Sequence, residues 1–570
     1  MLIFLYGIRF LIVFSFRLIK TGDGVKDLKE IDMILKDWDV WLNYAWYYTD
    51  DITEMQSIAY SLVDDALCKV VYDSNGYVYW KVDNKIKHER LEIIQFGHEA
   101  KAKFNFPKEL SDYPLEGSSQ SLKMHWHEMY LLNMSKFTYI RGFLGPCYFT
   151  INDKSIILYP QIKLYSNGVF ILSYRIISPK EKYAVKNLIE KEINLFRVNA
   201  ENIMVPPELM KLDTRASVFQ SRGGPISRWN AFRFIKFFDG LVDKNTKSIR
   251  ENFDFSACPL KVSNEIKYAD GPMNLDLLND MIGSSLTYIV NGKAIPLKYF
   301  IRGFKPKKQL GSSWLGQPSV YILSYNKQPK SSLVAANRFK NSINRILLRT
   351  TYGKLKGNDY PSWQDLRVFD DYSFFMNESL YLFVFGKEGL TSDTEYADPN
   401  RGHLIYNKQI LVEALIFYYM SHQRQIERAN MVRVPTKQVI KEQQTIINLD
   451  DIIEKSSSWG EIQDVFRLSS KVFNFKRLRE KADKSLALRM QDANERLNKS
   501  LKRFGLLLSV LFGLLGSLSF TNDIIKPAWK LLDLWTPVNV QLKDLYLHSI
   551  FSLFILIVIY LVWKWAVAKG

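Results

Sequence analysis

Two stretches of the chain interleave basic and aromatic side chains, one within residues 221–238 and the other within residues 302–314. Their candidate ligand-binding members are Arg222, Arg228, Arg233, Arg302, Lys305, Lys307, Lys308 and Trp314. Guanidinium and ammonium groups bind phosphates, and aromatic rings stack on bases. The pattern predicts contact with single-stranded nucleic acid or a nucleotide, and it also fits exposed charge over a packed aromatic core.

A helix predicted over about residues 332–349 carries three more arginines. Arg338, Arg345 and Arg349 are spaced by seven and four residues, which places them on one face of a helix. A row of guanidinium groups on such a face predicts a phosphate-binding surface, so these residues join the candidate ligand set.

No enzyme motif accompanies these basic residues. The chain lacks a P-loop, a dinucleotide-binding glycine motif, a nucleophile elbow and the H-E-x-x-H zinc motif. His125, His127 and Glu128 have no further ligand nearby at a recognised metal-binding spacing, which favours a structural or surface role. We therefore expect no catalytic residues, no metal site and no cofactor, although a metal-dependent site assembled from distant acidic residues stays open.

The chain of 570 residues has a formal net charge of +18. A body with this excess of lysine and arginine is expected to meet polyanions, namely nucleic acid, nucleotide or anionic lipid. The alternative is that the charge serves solubility and membrane orientation.

An internal duplication is predicted in the body. Residues 151–158 align with residues 290–297, and residues 169–174 align with residues 320–325 in the same order. Each copy then reaches a proline and a helical pattern, over about residues 181–197 and 332–349. The expected fold is an α/β body built from a duplicated strand-strand-helix unit, preceded by residues 24–70 as mainly helix.

The last quarter of the chain predicts a long helix. Apolar residues from Phe475 to Phe504 recur with a period of about 3.6, and the pattern runs from Ser469 into an uncharged stretch, residues 504–520. We expect this stalk helix to continue into the first of two C-terminal transmembrane helices, the second over residues 549–567. The stalk either packs on its own domain or associates with other copies.

Small residues recur every fourth position in the first predicted span, and one polar residue follows it. The candidate pore-lining residues are Gly505, Ser509, Gly513, Ser517 and Asn522. Small residues let helices approach closely or leave a lumen open, so either a pore or a two-helix anchor fits. Basic residues before the first span and after the second place both ends in the cytoplasm, which predicts a multi-pass protein of a bacterial inner membrane.

These patterns divide the chain into eight parts. They are an N-terminal mixed region (1–130), two α/β repeat units (131–280 and 281–434), a linker (435–468), a stalk (469–503), a first span (504–520), an outer loop (521–548) and a second span (549–567).

This order of elements resembles CorA-type magnesium channels. The family's Gly-Met-Asn signature is absent, and Ser519-Phe520-Thr521-Asn522-Asp523 retains only an asparagine. The chain is more similar to CorA-like membrane effectors of bacterial anti-phage defence, including those of type III CRISPR systems and the Hailong effector.

The resemblance implies a homo-oligomeric ion channel, a tetramer or a pentamer, gated by an oligonucleotide or nucleotide bound to its basic body. A nucleotidyltransferase that makes the ligand and the lipid bilayer would be its other partners. The alternatives are a CorA-like divalent metal-ion transporter and a membrane-anchored enzyme.

Overall fold

The structure is a computed structural model. It describes residues 32–48, 50–83, 85–90, 138–206, 209, 258–259, 274–290, 314–315, 317–351, 363–367, 372–391, 402–431, 434–455, 460–525, 527, 531, 553–554 and 557. The candidate residues Arg222, Arg228, Arg233, Arg302, Lys305, Lys307 and Lys308 lie outside this part of the chain, as do His125, His127 and Glu128.

In the described residues, a mixed sheet of fifteen strands forms the centre of the body. Its first eight strands are β1 (Ile34–Tyr47), β2 (Cys68–Asp73), β3 (Tyr77–Val82), β4 (Lys85–Arg90), β5 (Tyr139–Leu144), β6 (Cys147–Ile151), β7 (Lys154–Tyr165) and β8 (Val169–Ile177). The others are β9 (Tyr183–Ala184), β10 (Asn202–Val205), β11 (Cys258–Pro259), β12 (Trp314–Leu315), β13 (Ser319–Tyr325), β14 (Tyr372–Met376) and β15 (Tyr381–Phe385). The main path runs β14-β15-β13-β1-β8-β7-β5-β2-β3-β4, and β13 and β15 are parallel.

Ten α-helices accompany the sheet in the described residues. They are α1 (Met55–Asp64), α2 (Val185–Asn187), α3 (Leu275–Val290), α4 (Ser332–Arg338), α5 (Lys340–Leu347), α6 (Glu388–Thr391), α7 (Gly402–Asn430), α8 (Thr436–Lys455), α9 (Gly460–Val472) and α10 (Phe475–Phe520). A π-helix over Leu188–Ile193 and a 3-10 helix over Leu195–Arg197 follow α2.

Strand β1 lies in the middle of the sheet, so the prediction of mainly helix over residues 24–70 is wrong for residues 34–47, whereas residues 55–64 are helical as α1. Its alternate residues enter two cores: Val40 and Leu42 pack in one, and Trp41 and Ala45 in the other. Helices α1, α3 and α5 pack on the first side, whereas α7, α9 and the start of α10 pack on the second. A strand buried on both faces is apolar without strict alternation, so its pattern is easily read as that of a buried helix.

Short turns connect several neighbouring strands, as the sequence predicts. The Asn152-Asp153 pair between β6 and β7 has positive φ at both residues, 48° and 59°, which a tight hairpin turn needs. Strand β3 follows the Asn75-Gly76 turn, a dipeptide typical of hairpins.

The first block of the predicted duplication is described in its first copy, whereas its second copy lies outside the described residues except for Val290. Residues of the first copy form the β6–β7 hairpin, but Val290 ends helix α3 and residues 291–297 lie outside the described part. The second block does give two comparable strands, because β8 and β13 flank β1 on opposite sides and both run antiparallel to it. The helical patterns that follow are also broken: Leu188–Ile193 winds as a π-helix, and Phe339 separates α4 from α5.

Helix α10 is continuous for 46 residues, in agreement with the predicted stalk, but it starts at Phe475, because Asn474 with φ of 51° separates it from α9. Within the described part of the chain, no helix is both long enough and apolar enough to cross a bilayer. This finding contradicts the predicted pair of C-terminal transmembrane helices, and the second of them, residues 549–567, lies outside the described residues except for 553–554 and 557. The uncharged run from Phe504 to Phe520 directly follows Lys502 and Arg503 and falls short of the roughly 20 residues that a span needs.

The chain forms two compact units. The first contains residues 1–428 and 442–480, and the second contains residues 429–441 and 481–570. The predicted linker, residues 435–468, consists largely of α8 and the beginning of α9. In the second unit, Ala429, Val434 and Val439 form a small core to which Leu486 of α10 adds.

Candidate functional site

The three candidate arginines that the structure describes do not form one free anion-binding row. Arg338 donates to the carbonyl oxygen of Lys327 at 3.0 Å, and Arg345 donates to that of Thr351 at 3.2 Å. Arg349 lies beyond the end of α5 with a positive φ of 53°. The predicted common face is lost because the helix breaks at Phe339 and ends before Arg349.

Arg349 instead attaches the end of α5 to residues 193–196. Its guanidinium donates to Asn194 Oδ1 at 3.1 Å and to the Ile193 carbonyl at 3.0 Å, and it stacks over the Phe196 ring at 4.5 Å. Burial and the nearby Arg197 lower the pKa of Arg349 to about 10. Trp314 lies in β12, where it pairs with Ala45 of β1, so it too belongs to the sheet.

The predicted pore-lining residues lie on and just after the last part of α10. Ser509 donates its hydroxyl to the Gly505 carbonyl one turn earlier at 2.9 Å, and a methyl group added at Gly505 would meet no atom within 4 Å. Gly513 lies further along the same helix, Ser517 lies in its last turn, and Asn522 is exposed in the following π-helical turn, Thr521–Ile525. The glycine at 505 thus makes no close helix contact in the described residues.

The surface of α10 changes along its length. Phe475, Leu478 and Ala482 are buried, as the predicted apolar stripe requires, but the stripe becomes exposed beyond them. Leu497, Leu501, Phe504 and Phe512 are each 57–68% exposed. Because they recur at helical spacing, they form a continuous apolar surface on one side of the helix. We call residues 497–512 of α10 the apolar segment.

Basic residues lie within this apolar segment and directly before it. Residues 495–503 contain four basic side chains and one acidic one, Glu495, and the basic ones are Arg496, Lys499, Lys502 and Arg503. All four are exposed, and Arg496 also pairs with Asp492 at 2.9 Å. At 100° per residue they point away from the centre of the apolar face, so this part of α10 is a basic amphipathic helix.

A buried charged cluster lies between α7 and the sheet. Glu413 of α7 accepts from both terminal nitrogens of Arg141 on β5, with Nη1 to Oε1 at 3.2 Å, and Lys163 Nζ on β7 lies 3.5 Å from Glu413 Oε2. All three side chains are at most 5% exposed. Lys163 also lies over the rings of Tyr139 and Tyr165. This cluster fixes α7 at one position on the sheet.

A second row of buried polar contacts continues this attachment. Gln409 of α7 donates to Asn43 Oδ1 on β1 at 3.0 Å and accepts from the Tyr321 hydroxyl on β13 at 3.1 Å. Ser173 of β8 donates to the same Asn43 oxygen at 2.8 Å, and Arg175 pairs with Asp39 at 2.6 Å. Helix α7 is therefore attached to β13, β1, β7 and β5 by polar groups as well as by apolar packing.

The end of α7 carries an arginine pair, Arg424 and Arg428, which are spaced by one helical turn. Arg424 Nε donates to the Tyr48 carbonyl at 2.7 Å, and Nη2 lies 2.7 Å from Asp51. Arg428 Nη1 lies 3.1 Å from the same Asp51 oxygen. Gly168 is required beside them, because a methyl group there would lie 2.9 Å from the Tyr48 carbonyl oxygen.

Glu442 of α8 completes this arrangement by bridging the arginine pair. One carboxylate oxygen pairs with Arg424 Nη1, and the other lies 3.0 Å from Arg428 Nε. Burial raises the pKa of Glu442, and burial together with the neighbouring Arg424 lowers that of Arg428. Arg424 thus hydrogen-bonds this carboxylate, whereas Arg428 meets its other oxygen as an ion pair outside hydrogen-bond geometry.

A buried carboxyl with a strongly raised pKa lies on the other side of the sheet. Glu192, in the π-helix, accepts from the Tyr183 hydroxyl at 2.5 Å, and Tyr183 packs against Trp38 with ring centres 5.3 Å apart. Burial raises the pKa of Glu192 to about 7, whereas the Tyr183 hydrogen bond and Lys191 act in the opposite direction.

We expect Glu192 to make stability pH-dependent. Its pKa is higher in the folded state than the ordinary 4.5, so the folded chain holds the proton more tightly, and stability is lost as pH rises from 4.5 to 7. The shift corresponds to about 3 kcal/mol. Urea unfolding across this range should show that Glu192→Gln removes this part of the slope. The exposed Glu190→Gln should keep the wild-type slope, and an unchanged slope in Glu192→Gln would refute the assignment.

Within the described residues, no group of three or more histidine, cysteine, aspartate or glutamate side chains is placed to hold a metal ion. No family model, curated protein or solved structure matches the chain.

Sequence reasoning missed the buried charges on α7. Its apolar positions predict the helix itself, but Gln409, Glu413, Arg424 and Arg428 were overlooked. They are separated by four, eleven and four residues, which places them on one side of the helix, beside its apolar residues. A charged residue beside the apolar stripe of a helix is visible in the sequence and can indicate a buried ion pair. Its partners on β1, β5 and β7 cannot be identified from the sequence pattern.

Proposed function

We propose that the chain is an effector that acts on an anionic membrane through the apolar segment of α10 and responds to a nucleotide or oligonucleotide. This proposal rests on the exposure of Leu497, Leu501, Phe504 and Phe512 on one side of a helix whose other side is basic over residues 496–503. A contiguous exposed apolar surface of this kind is costly in water and marks an interaction site.

A lipid bilayer is the occupant that this chemistry fits. Basic amphipathic helices lie in the membrane interface with their apolar side buried about 5–10 Å. Each lysine or arginine near an anionic surface contributes about 1 kcal/mol. Arg496, Lys499, Lys502 and Arg503 are close enough in sequence to Phe504 to meet headgroups while the apolar side chains enter the acyl region.

The proposed ligand rests on the net charge of +18, which favours a polyanion. Arg338, Arg345 and Arg349 lend it little support, since each donates to the chain itself. Arg222, Arg228, Arg233, Arg302, Lys305, Lys307 and Lys308 stay candidates for contact with it.

Flotation of the full chain with vesicles tests this function. We expect co-flotation with vesicles rich in phosphatidylglycerol, weaker co-flotation with phosphatidylcholine alone, and a decrease on raising salt because surface charges are screened. Release of an entrapped dye would report the effect on the bilayer. Failure to co-float with anionic vesicles at low salt would refute the membrane proposal.

A further inference from the structure

We propose that the arginine pair, Arg424 and Arg428, is a binding site for a phosphate monoester, and that Glu442 occupies it in this conformation. This inference assigns a site to the ligand of the proposed function. It rests on that function for the nature of the ligand. It starts from the bridging geometry of Glu442, whose two oxygens each meet a different guanidinium group.

The pair is held in place by contacts that do not involve Glu442. Arg424 is fixed by the Tyr48 carbonyl, and both arginines meet the same oxygen of Asp51. Side chains positioned in this way lose little freedom when a ligand binds. If Glu442 leaves, Arg424 Nη1 remains directed at the position that its carboxylate held, and Arg428 Nε remains beside that position.

A phosphate fits that position better than most anions. Its oxygens can bridge two guanidinium groups as the carboxylate does, and a monoester carries about −1.5 to −2 charge at neutral pH against −1 for glutamate. Arg424 and Arg428 are 2% and 1% exposed, whereas Asp51 is 39% exposed, so the pair is approached from the side of Asp51.

Exchange at this site would also move α8. Glu442 lies within α8, and its carboxylate is held in a site that burial makes unfavourable for its charge. Phosphate binding in its place would remove both of its ion pairs to α7. The ligand and Glu442 would then compete for the arginine pair, so ligand binding would release α8 from α7. A switch needs such a difference in contacts between its two states.

Calorimetric titration of the full chain tests the site without any membrane. The probes are inorganic phosphate, a short DNA oligomer with a 5′-phosphate and the same oligomer without it. Glu442→Gln keeps the size of the side chain but removes its charge, and we expect it to bind inorganic phosphate and the phosphorylated oligomer at least about tenfold more tightly than wild type, about 1.4 kcal/mol. Glu480→Gln, an exposed carboxylate on α10, should bind as wild type does.

Adding Arg428→Lys to Glu442→Gln should remove most of this gain, since lysine cannot reproduce the fixed fork of arginine. A larger gain for the phosphorylated oligomer identifies a nucleotide or oligonucleotide ligand, and equal gains identify free phosphate. Folded Glu442→Gln with no gain, a gain that survives Arg428→Lys, or an equal gain for the unphosphorylated oligomer would overturn the site. Phosphate binding by a chain that does not bind vesicles would refute the membrane proposal alone.

Discussion

Replacing Glu413 by alanine is expected to lower the free energy of unfolding by about 3–5 kcal/mol, the cost of removing one partner from a buried ionic cluster. Arg141 and Lys163 would both lose the carboxylate that they share, and both are at most 5% exposed. Water cannot replace that carboxylate easily at such a depth. Chemical unfolding monitored by circular dichroism would measure the loss.

A surface ion pair provides the matched control. Asp64 lies 3.5 Å from Lys81, with the two side chains 47% and 28% exposed. Asp64→Ala should cost at most about 1 kcal/mol, because exposed pairs contribute little. A loss of similar size in Glu413→Ala would show that the buried cluster does not hold α7.

A triple variant separates charge from packing. Arg141→Met, Lys163→Met and Glu413→Leu together replace the cluster by apolar side chains of similar length, which is often neutral or stabilising. We expect it to recover most of the stability that Glu413→Ala loses. The comparison tests whether unpaired charge, rather than a cavity, causes the loss.

Sequence patterns predict those elements whose structure is determined by residues close to them in the chain. The β6–β7 hairpin follows from Asn152 and Asp153, whose side chains tolerate the positive φ of a tight turn. Helix α7 and the stalk part of α10 follow from apolar residues at helical spacing. These features depend on neighbours within a few residues, which the sequence shows directly.

The incorrect predictions concern segments whose structure is decided by distant neighbours. Strand β1 is buried between β8 and β13, so its residues are apolar on both faces and give no alternation. Glu413 and Arg141 are 272 residues apart in sequence, and no spacing rule joins them. The candidate row Arg338, Arg345 and Arg349 is not formed because the helix breaks at Phe339 and ends at Leu347, before Arg349.

Spanning a membrane and binding to its surface require different properties of α10. Crossing a bilayer requires a continuous apolar length, which the described helices do not reach. Lying at its surface requires an exposed apolar side next to basic residues, which the apolar segment has. Substitutions in that segment therefore test surface binding directly.

Replacing Phe504 and Phe512 together by aspartate is expected to reduce partitioning into anionic vesicles by at least about a hundredfold. Burying each phenylalanine contributes about 1.5–3 kcal/mol, so the pair is worth about 3–6 kcal/mol. Both side chains are exposed, at 60% and 68%, so the fold should melt as wild type does. The decrease is measured by titrating the full chain with phosphatidylglycerol vesicles.

Leu333→Asp with Val334→Asp is the matched control, because these side chains are also exposed, at 45% and 41%, but lie on the short helix α4. This variant should partition as wild type does, since it introduces the same charge away from α10. An equal decrease in both variants would show that added negative charge alone opposes binding. An unchanged partitioning of the Phe504 and Phe512 variant, with a smaller oligomeric mass by light scattering, would instead assign the apolar segment to contact between copies of the chain.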